Sequence, residues 1–290
     1  MDKQQNQNNI QWFPGHMAKT RRIIKESLSL VDGVAEIIDA RVPKSSSNPE
    51  LSELISTKPR IVLLNKCDLA DKNTTRLWVE DYKKRGITAL PVDCRTGRGL
   101  NVFHDTVKEV LKDKIASNEE KGMHGKALRL MVVGIPNTGK SSFINRMAGS
   151  AKAKVEDRAG VTLRKQWFAI GNGIELLDTP GVLWPKFDDP AVGERLAFIG
   201  SIKDTILDSE LLAVRLLEIM SADYPERLTE RYKITDFEGL QGWEILELIG
   251  KKRGMVIRGG EVDTNRASLT VLDEYRAGKL GLISLERPED

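Results

Sequence analysis

Residue types that hold metals and crosslinks are scarce in this sequence. Its 290 residues include only two cysteines, Cys67 and Cys94, and three histidines. The cysteines lack the close spacing of zinc ligands, and one pair of thiols is too few for a disulfide framework. The histidines, at positions 16, 104 and 124, are too scattered to suggest a metal cluster. The composition therefore argues against a structural zinc site and against a disulfide-stabilised fold.

Long apolar runs are also missing. No stretch approaches the roughly 18 to 20 apolar residues that span a bilayer. The N-terminus is polar and does not resemble a signal sequence, and residues 1–11 contain little that could be buried, so we expect a disordered extension there. These features predict a cytoplasmic protein with no membrane partner.

Length and charge predict two domains. A chain of 290 residues exceeds the usual size of a single domain. The net charge is +3, but residues 201–290 carry −5, which leaves +8 on residues 1–200. Such a positive field favours a polyanionic partner, although a solvated surface of mixed charge explains it equally well. We predict an α/β domain at 12–200, with a mostly parallel sheet and helices on both faces, and a smaller all-α domain at 201–290.

Apolar runs and turn signals predict the individual elements. Strands are expected at 34–38, 60–64, 88–92, 128–133, 166–170 and 174–177. Helices are expected at 18–30, 50–56, 73–85 and 100–114, from 142 onward, and near 191–199, 203–220, 240–252 and 264–277. Residues 42–49 and 113–126 are predicted to be loops.

A phosphate-binding loop stands at residues 134–141, which read Gly-Ile-Pro-Asn-Thr-Gly-Lys-Ser after an apolar run. Such a loop turns backbone N–H groups toward a polyphosphate, its lysine, here Lys140, reaches the outer phosphates, and its hydroxyl, here Ser141, ligates Mg²⁺. A chance match in a chain of this length is expected on the order of once in a hundred. The phosphate-binding residues predicted here are Gly134, Asn137, Thr138, Gly139, Lys140, Ser141 and Ser142.

The nucleotide base is predicted from residues 65–68, which read Asn-Lys-Cys-Asp after a buried strand. A carboxylate at Asp68 accepts hydrogen bonds from guanine N1–H and its exocyclic amine, whereas adenine would leave it unpaired. Asn65 is expected to brace the phosphate loop, and the Lys66 stem to lie over the base. Asp93 and Cys94 follow another strand and are expected to add backbone contacts at the base edge.

A third motif, Asp-Thr-Pro-Gly at residues 178–181, follows the strand at 174–177. Asp178 is expected to hold Mg²⁺ through water, the Gly181 N–H to meet the γ-phosphate, and Thr162 to close over the metal in the triphosphate state. Three motifs on three strand ends predict GTP binding. Their order is unusual, because the base motif precedes the phosphate loop; we therefore expect a circularly permuted GTPase domain.

Several further segments carry a family resemblance. Residues 12–19 read Trp-Phe-Pro-Gly-His-Met-Ala-Lys, 39–41 Asp-Ala-Arg, 46–49 Ser-Ser-Asn-Pro, and 177–186 Leu-Asp-Thr-Pro-Gly-Val-Leu-Trp-Pro-Lys. With residues 134–137 and the order of the motifs, they resemble the ribosome biogenesis GTPase A family of bacterial circularly permuted GTPases over nearly the whole chain. The resemblance implies a GTPase that acts late in assembly of the large ribosomal subunit, is stimulated by that particle, and carries a helical domain like the ANTAR RNA-binding fold.

The resemblance also bears on catalysis. Val182 occupies the position where Ras-like enzymes place a water-orienting glutamine, and its side chain cannot orient water. The resemblance implies that His16 takes this part, whereas the sequence alone favours a helix-start residue packed against Trp12. It further implies that Asn137 helps to hold K⁺ near the phosphates.

Two other function classes remain open at this stage. A basic patch in the predicted helical domain consists of Lys251, Lys252, Arg253 and Arg258. Such a patch predicts rRNA contact, but a solvated helix end also explains it. A GTP-responsive RNA-binding scaffold with little turnover is thus the main alternative. An ATP-dependent small-molecule kinase is the other, and Asp68 argues against it.

Overall fold

The structure is a computed structural model that describes residues 14–149, 154–155, 166–181, 183, 189–202 and 208–288. For residues 14–20 and 154–155 it describes the backbone alone. No helix within these ranges is long and apolar enough to cross a bilayer.

A seven-stranded sheet forms the centre of the α/β part. Its strands are β1 (Gly33–Asp39), β2 (Arg60–Asn65), β3 (Thr88–Val92), β4 (Leu128–Val133), β5 (Lys154–Val155), β6 (Trp167–Ala169) and β7 (Ile174–Asp178). Their order across the sheet is β3-β2-β1-β4-β7-β6-β5. The five strands from β3 to β7 pair in parallel, and β6 and β5 continue the sheet antiparallel. The carboxyl ends of the parallel strands therefore lie at one edge, where ligands of such sheets bind.

Helices cover both faces of the sheet. They are α1 (Pro14–Leu28), α2 (Pro43–Ser46), α3 (Pro49–Leu54), α4 (Lys72–Lys84), α5 (Phe103–Val110), α6 (Lys112–Glu120) and α7 (Lys140–Ala148). Alternate residues of β1 show the two faces: Ala35 and Ile37 pack with α5 and α7, whereas Ile38 packs with α4. Burial on both faces explains why these strands are continuous apolar runs. The predicted fold class is confirmed.

The rest of the described chain is helical. It comprises α8 (Pro190–Phe198), α9 (Ser209–Asp223), α10 (Pro225–Tyr232), α11 (Gly242–Lys252) and α12 (Thr264–Arg276). Their apolar faces form one core, to which α8 contributes Leu196 and Phe198. The same core includes Val42, Ile135 and Leu183, which follow β1, β4 and β7. The helical core therefore extends to the loops at the strand ends.

Three secondary-structure predictions were wrong. Residues 42–49 contain the short helix α2, whose first turn begins with a proline, a residue favoured there because its missing N–H has no helical partner. Residues 113–126, predicted as a loop, begin inside α6, and Ile115 packs on the sheet core. Helix α10 was missed because half of its residues are charged and it buries only Leu228 and Tyr232.

A C-terminal segment ties the helices back to the sheet. The Ile283 N–H donates to the Leu69 carbonyl at 3.1 Å, and the Leu285 N–H to the Arg41 carbonyl at 2.8 Å. The buried carboxylate of Glu286 accepts hydrogen bonds from the Lys44 N–H at 2.7 Å and from Ser45. The loops that follow β1 and β2 are thereby held by residues from the end of the chain.

Candidate functional site

The base motif and the phosphate loop share one cavity of about 680 Å³. The base-motif loops contribute Asn65, Lys66, Asp68 and Asp93, and the phosphate loop contributes Asn137, Gly139, Lys140, Ser141 and Ser142. These segments are far apart in sequence, but β2 and β4 end at the same edge of the sheet, on either side of β1. Asp68 and Lys140 are thus placed where one elongated ligand can meet both.

Two glycines give the phosphate loop its shape. Gly134 has φ +151°, and a Cβ there would lie 2.4 Å from the Ile37 carbonyl oxygen. Gly139 has φ +102°, and a Cβ there would lie 2.2 Å from Asn65 Nδ2. Only glycine fits such a backbone and such close approaches. The loop therefore packs directly on β1 and on the base motif, and α7 begins at Lys140 with its N-terminus beside the cavity.

Asn65 connects the two halves of the site. Its Nδ2 donates to the Thr138 carbonyl at 2.6 Å, and its Oδ1 accepts from the Cys94 N–H at 2.9 Å. The first contact is the predicted brace of the phosphate loop. The second places the Cys94 N–H inside the protein framework, whereas the sequence interpretation directed that group to the base; Asp93, its neighbour, lines the cavity.

Lys66 also spans the two motifs. Its Nζ donates to the Asn137 carbonyl at 2.9 Å and lies 2.9 Å from Asp39 Oδ2. Both polar contacts lie at the tip of the side chain, so its methylene stem can cover the face of a base. Asp68 is 22% exposed and lies 3.5 Å from Arg95 Nη2 at the mouth of the cavity.

A second cavity of about 390 Å³ continues from the phosphate loop toward β7. Lys140, Ser141, Asp178, Gly181 and Gln166 line it. Burial raises the pKa of Asp178, and the nearby Lys140 charge opposes that rise. A hydroxyl and a single carboxylate suit Mg²⁺, which keeps several waters and takes its remaining ligands from phosphates. The described residues contain no group of three or more His, Cys, Asp or Glu side chains that could hold a metal ion.

Two predicted residues cannot be placed in this site. Thr162 lies outside the described residues, and His16 lies in the first turn of α1 with its side chain outside the description. Gly181 is placed, because a Cβ on it would lie 2.8 Å from Lys140 Nζ. The chain beyond β7 thus passes directly against the phosphate lysine.

The sequence interpretation missed several residues of the site. Gln166 lines the second cavity, and Leu69, Arg276 and Ala277 line the first. Behind Lys66, Asp39 receives the Arg41 guanidinium at 2.9 and 2.8 Å. Asp39 had a usable signal, since it ends a parallel strand at the ligand edge. Arg276 had none, because it belongs to a helix of the other part of the chain.

The chain is similar to proteins of one GTPase family. A family model described as 50S ribosome-binding GTPase matches residues 129–230. The chain is 47% identical over 283 residues to ribosome biogenesis GTPase A of Priestia megaterium, which covers 97% of this chain and 98% of that protein. The protein of that name from Thermotoga maritima is 33% identical, with 97% and 95% covered. This chain belongs to the ribosome biogenesis GTPase A family.

Solved structures agree with this membership. A GDP-bound structure of T. maritima YlqF matches with a TM-score of 0.65 and 31% identity, covering 93% of this chain and all of that one. A GNP-bound structure of the same protein gives a TM-score of 0.64. The chain is accordingly a GTP hydrolase that functions in ribosome biogenesis. Its GTPase domain implies a general dependence on Mg²⁺, which the oxygen donors of the second cavity fit.

The place of Lys140 on the wall of both cavities predicts a phosphate contact with a measurable pH dependence. Burial lowers the pKa of its ammonium to about 8. A bound triphosphate favours the charged form, so binding above pH 8 requires uptake of a proton. We expect GTP affinity to fall about fourfold between pH 7 and pH 8.5, and calorimetry in buffers of different ionisation enthalpy to record proton uptake. Lys140→Arg should lose this dependence, and an unchanged affinity in the native protein would contradict the assignment.

The predicted basic patch of this chain's helical part is only partly exposed. Lys251 pairs with Glu247 at 3.2 Å. The Arg253 guanidinium lies 5.4 Å from the centroid of the Tyr232 ring and reaches Glu274 at 3.4 Å. Lys252 and Arg258 are exposed. Two of the four predicted cations therefore already have intramolecular partners.

Proposed function

We propose that this GTPase acts late in assembly of the large ribosomal subunit, in the cytoplasm, and that the subunit stimulates its hydrolysis of GTP. The carrying observation is that the cavity with both nucleotide motifs lies against the helical part of the chain. Ser201 Oγ donates to the Pro136 carbonyl at 2.8 Å, and Ile135 belongs to the helical core. The family description, a 50S ribosome-binding GTPase, supports the choice of subunit.

Because of the circular permutation, the Asp-Thr-Pro-Gly segment leads directly into the helical part of the chain. Asp178 and Gly181 border the second cavity, Leu183 is already part of the helical core, and α8 begins seven residues later at Pro190. A rearrangement of the Asp-Thr-Pro-Gly segment when the γ-phosphate leaves would therefore move residues that pack in that core. We keep the proposed division into a GTPase domain at 12–200 and a helical domain at 201–290, with α8 as the connection.

The proposed catalytic arrangement combines His16, near the N-terminus, with residues of the nucleotide motifs. His16 would position the attacking water in the complex with the subunit, because Val182 has no polar group. Ser141, Asp178 and Thr162 would hold Mg²⁺. Asn137 would offer its amide oxygen to K⁺: its Nδ2 donates to the Gly200 carbonyl, which directs the oxygen to the opposite side. A cation there would stabilise the charge that develops between the phosphates.

Contact with rRNA is proposed for the exposed cations of the helical part. Lys252 and Arg258 are the stronger members of the patch, since Lys251 and Arg253 would have to exchange acidic partners for phosphates. Ribosomal proteins that lie near the rRNA contact are the other proposed partners.

Single-turnover hydrolysis tests the enzymatic part of the proposal. We expect slow hydrolysis by the free protein, strong acceleration by large subunits, and loss of about a hundredfold or more of the accelerated rate in His16→Ala with GTP affinity unchanged. His124→Ala is the matched control, since His124 is exposed and remote from the motifs. Sedimentation with large subunits in GDP and in a non-hydrolysable GTP analogue measures the nucleotide dependence of binding.

Two results would contradict the proposal. Binding to subunits that ignores the nucleotide, together with no stimulated turnover, would favour a scaffold. Stimulation that survives in His16→Ala would move the water-positioning group to the ribosome.

A further inference from the structure

The last turn of α12 reaches the nucleotide cavity. Arg276 and Ala277 line the same space as Asp68 and Lys140, although they belong to none of the nucleotide motifs. The Arg276 side chain is only 19% exposed. A mostly buried arginine at the wall of a phosphate-binding cavity differs from a surface cation, because its charge acts in a medium of low dielectric.

Neighbouring contacts locate Arg276 between the two ends of the cavity. A Cβ on Gly200 would lie 3.4 Å from Arg276 Nε, and the Gly200 carbonyl accepts from Asn137 of the phosphate loop. On its other side, Gly278 approaches Leu69, the neighbour of Asp68, closely enough that a Cβ would lie 2.5 Å from Leu69 Cδ2. Arg276 thus lies between the Asn137 side and the Leu69 side of the cavity. A nucleotide with its base at Asp68 and its outer phosphates at Lys140 must pass it.

Arg276 is also oriented by backbone groups. Its Nε donates to the Phe198 carbonyl at 3.1 Å and its Nη2 to the Ala197 carbonyl at 2.9 Å, both at the end of α8. These bonds hold the planar guanidinium at the cavity wall. A guanidinium has five N–H donors, and a phosphate forms a stronger, charge-assisted bond than a neutral carbonyl does.

We infer that Arg276 contacts the phosphate nearest the ribose of a bound guanine nucleotide, so that the helical part of the chain supplies one wall of the nucleotide site. The inference rests on the proposed nucleotide site between Asp68 and Lys140. It makes α12 part of the nucleotide pocket, and it brings the bound nucleotide to the side chain that caps the end of α8.

Affinities for guanosine, GMP and GDP test the contact, measured by competition with fluorescent GDP. In Arg276→Met we expect GMP and GDP to bind about tenfold more weakly, and guanosine to bind within about twofold of the native affinity. Arg276→Lys keeps a cation but loses the bonds to α8, and it should recover most of the nucleotide affinity. Arg266→Met, at an exposed position of the same helix, should match the native protein.

The opposite pattern would overturn the inference. If Arg276 serves only to hold α8 in place, Arg276→Met and Arg276→Lys should both lower the thermal unfolding midpoint. The ratio of GDP affinity to guanosine affinity should then stay unchanged in both variants. Lys140→Ala, measured in parallel, separates this failure from a wrong nucleotide site. Loss of GDP binding in Lys140→Ala with none in Arg276→Met refutes the arginine contact alone, whereas no loss in either refutes the site.

Discussion

Replacing Asp68 with Asn is expected to lower GTP affinity about a thousandfold, or about 4 kcal/mol. In the proposed base site the Asp68 carboxylate would accept from both guanine N1–H and the exocyclic amine. An amide can accept from one of these donors and then faces the other with its own N–H, which leaves two donors desolvated and opposed. Because Asp68 lies near the mouth of the cavity, 22% exposed, the substitution should alter the base contact without unfolding the protein.

The same amide should favour a different base. Xanthine keeps N1–H and replaces the exocyclic amine with a carbonyl, so the Asn oxygen and nitrogen find complementary partners. We expect xanthosine triphosphate to bind the variant more tightly than GTP does, in titrations of both nucleotides. Glu119→Gln on the exposed face of α6 is an isosteric control. Equal GTP affinity in native protein and variant would remove Asp68 from the base site.

The parts of the site that could be predicted from sequence are those that follow strands. Asn65 and Asp178 end parallel strands, the phosphate loop that leads to Lys140 follows another, and parallel strands end at a common edge. Identifying three apolar runs as buried strands was therefore enough to bring three distant motifs together. The permuted order did not matter, because the sheet places these ends by neighbouring strands and not by sequence distance.

The parts that could not be predicted depend on contacts between distant segments. Arg276 enters the cavity because α12 packs on α8 and α9, and no local pattern in residues 264–276 states this. Glu286 is buried because it accepts hydrogen bonds from the first turn of α2, more than two hundred residues earlier in the chain. Helix α10 is short, and the only side chains that it buries are Leu228 and Tyr232, so its packing on α9 maintains it.

The buried ion cluster behind the base motif is the second place where a single substitution should have a large effect. Asp39 and Arg41 are 0% and 1% exposed and form a bidentate pair, and Lys66 lies 2.9 Å from the same carboxylate. Arg41 also donates to the Tyr275 carbonyl at 3.2 Å, with its guanidinium 5.0 Å from the Tyr275 ring centroid. The cluster therefore joins β1, the base motif and α12.

Asp39→Asn is expected to lower the free energy of unfolding by about 3–5 kcal/mol, measured by denaturant titration, because it leaves the Arg41 charge buried without its partner. Asp39→Asn combined with Arg41→Met should recover part of this loss, since both charges are then removed. Glu109→Gln, which breaks the exposed pair with Lys112, should cause no measurable change. A loss in Asp39→Asn no greater than in that control would show that the cluster does not stabilise the fold.

The pH dependence of the same cluster has a definite sign. Burial alone would raise the pKa of Asp39, but the charges of Arg41 and Lys66 and their hydrogen bonds lower it well below its ordinary value. In the unfolded chain the pKa of Asp39 is near 4, so the stabilisation is complete at about pH 5 and higher. It is lost as the pH falls from there toward the lower pKa of Asp39 in the folded protein. The difference in stability between native protein and Asp39→Asn should accordingly be constant from about pH 5 to 7 and shrink below about pH 4.

Because Lys66 reaches both Asp39 and the Asn137 carbonyl, GTP affinity of the Asp39→Asn variant should fall even where the fold persists.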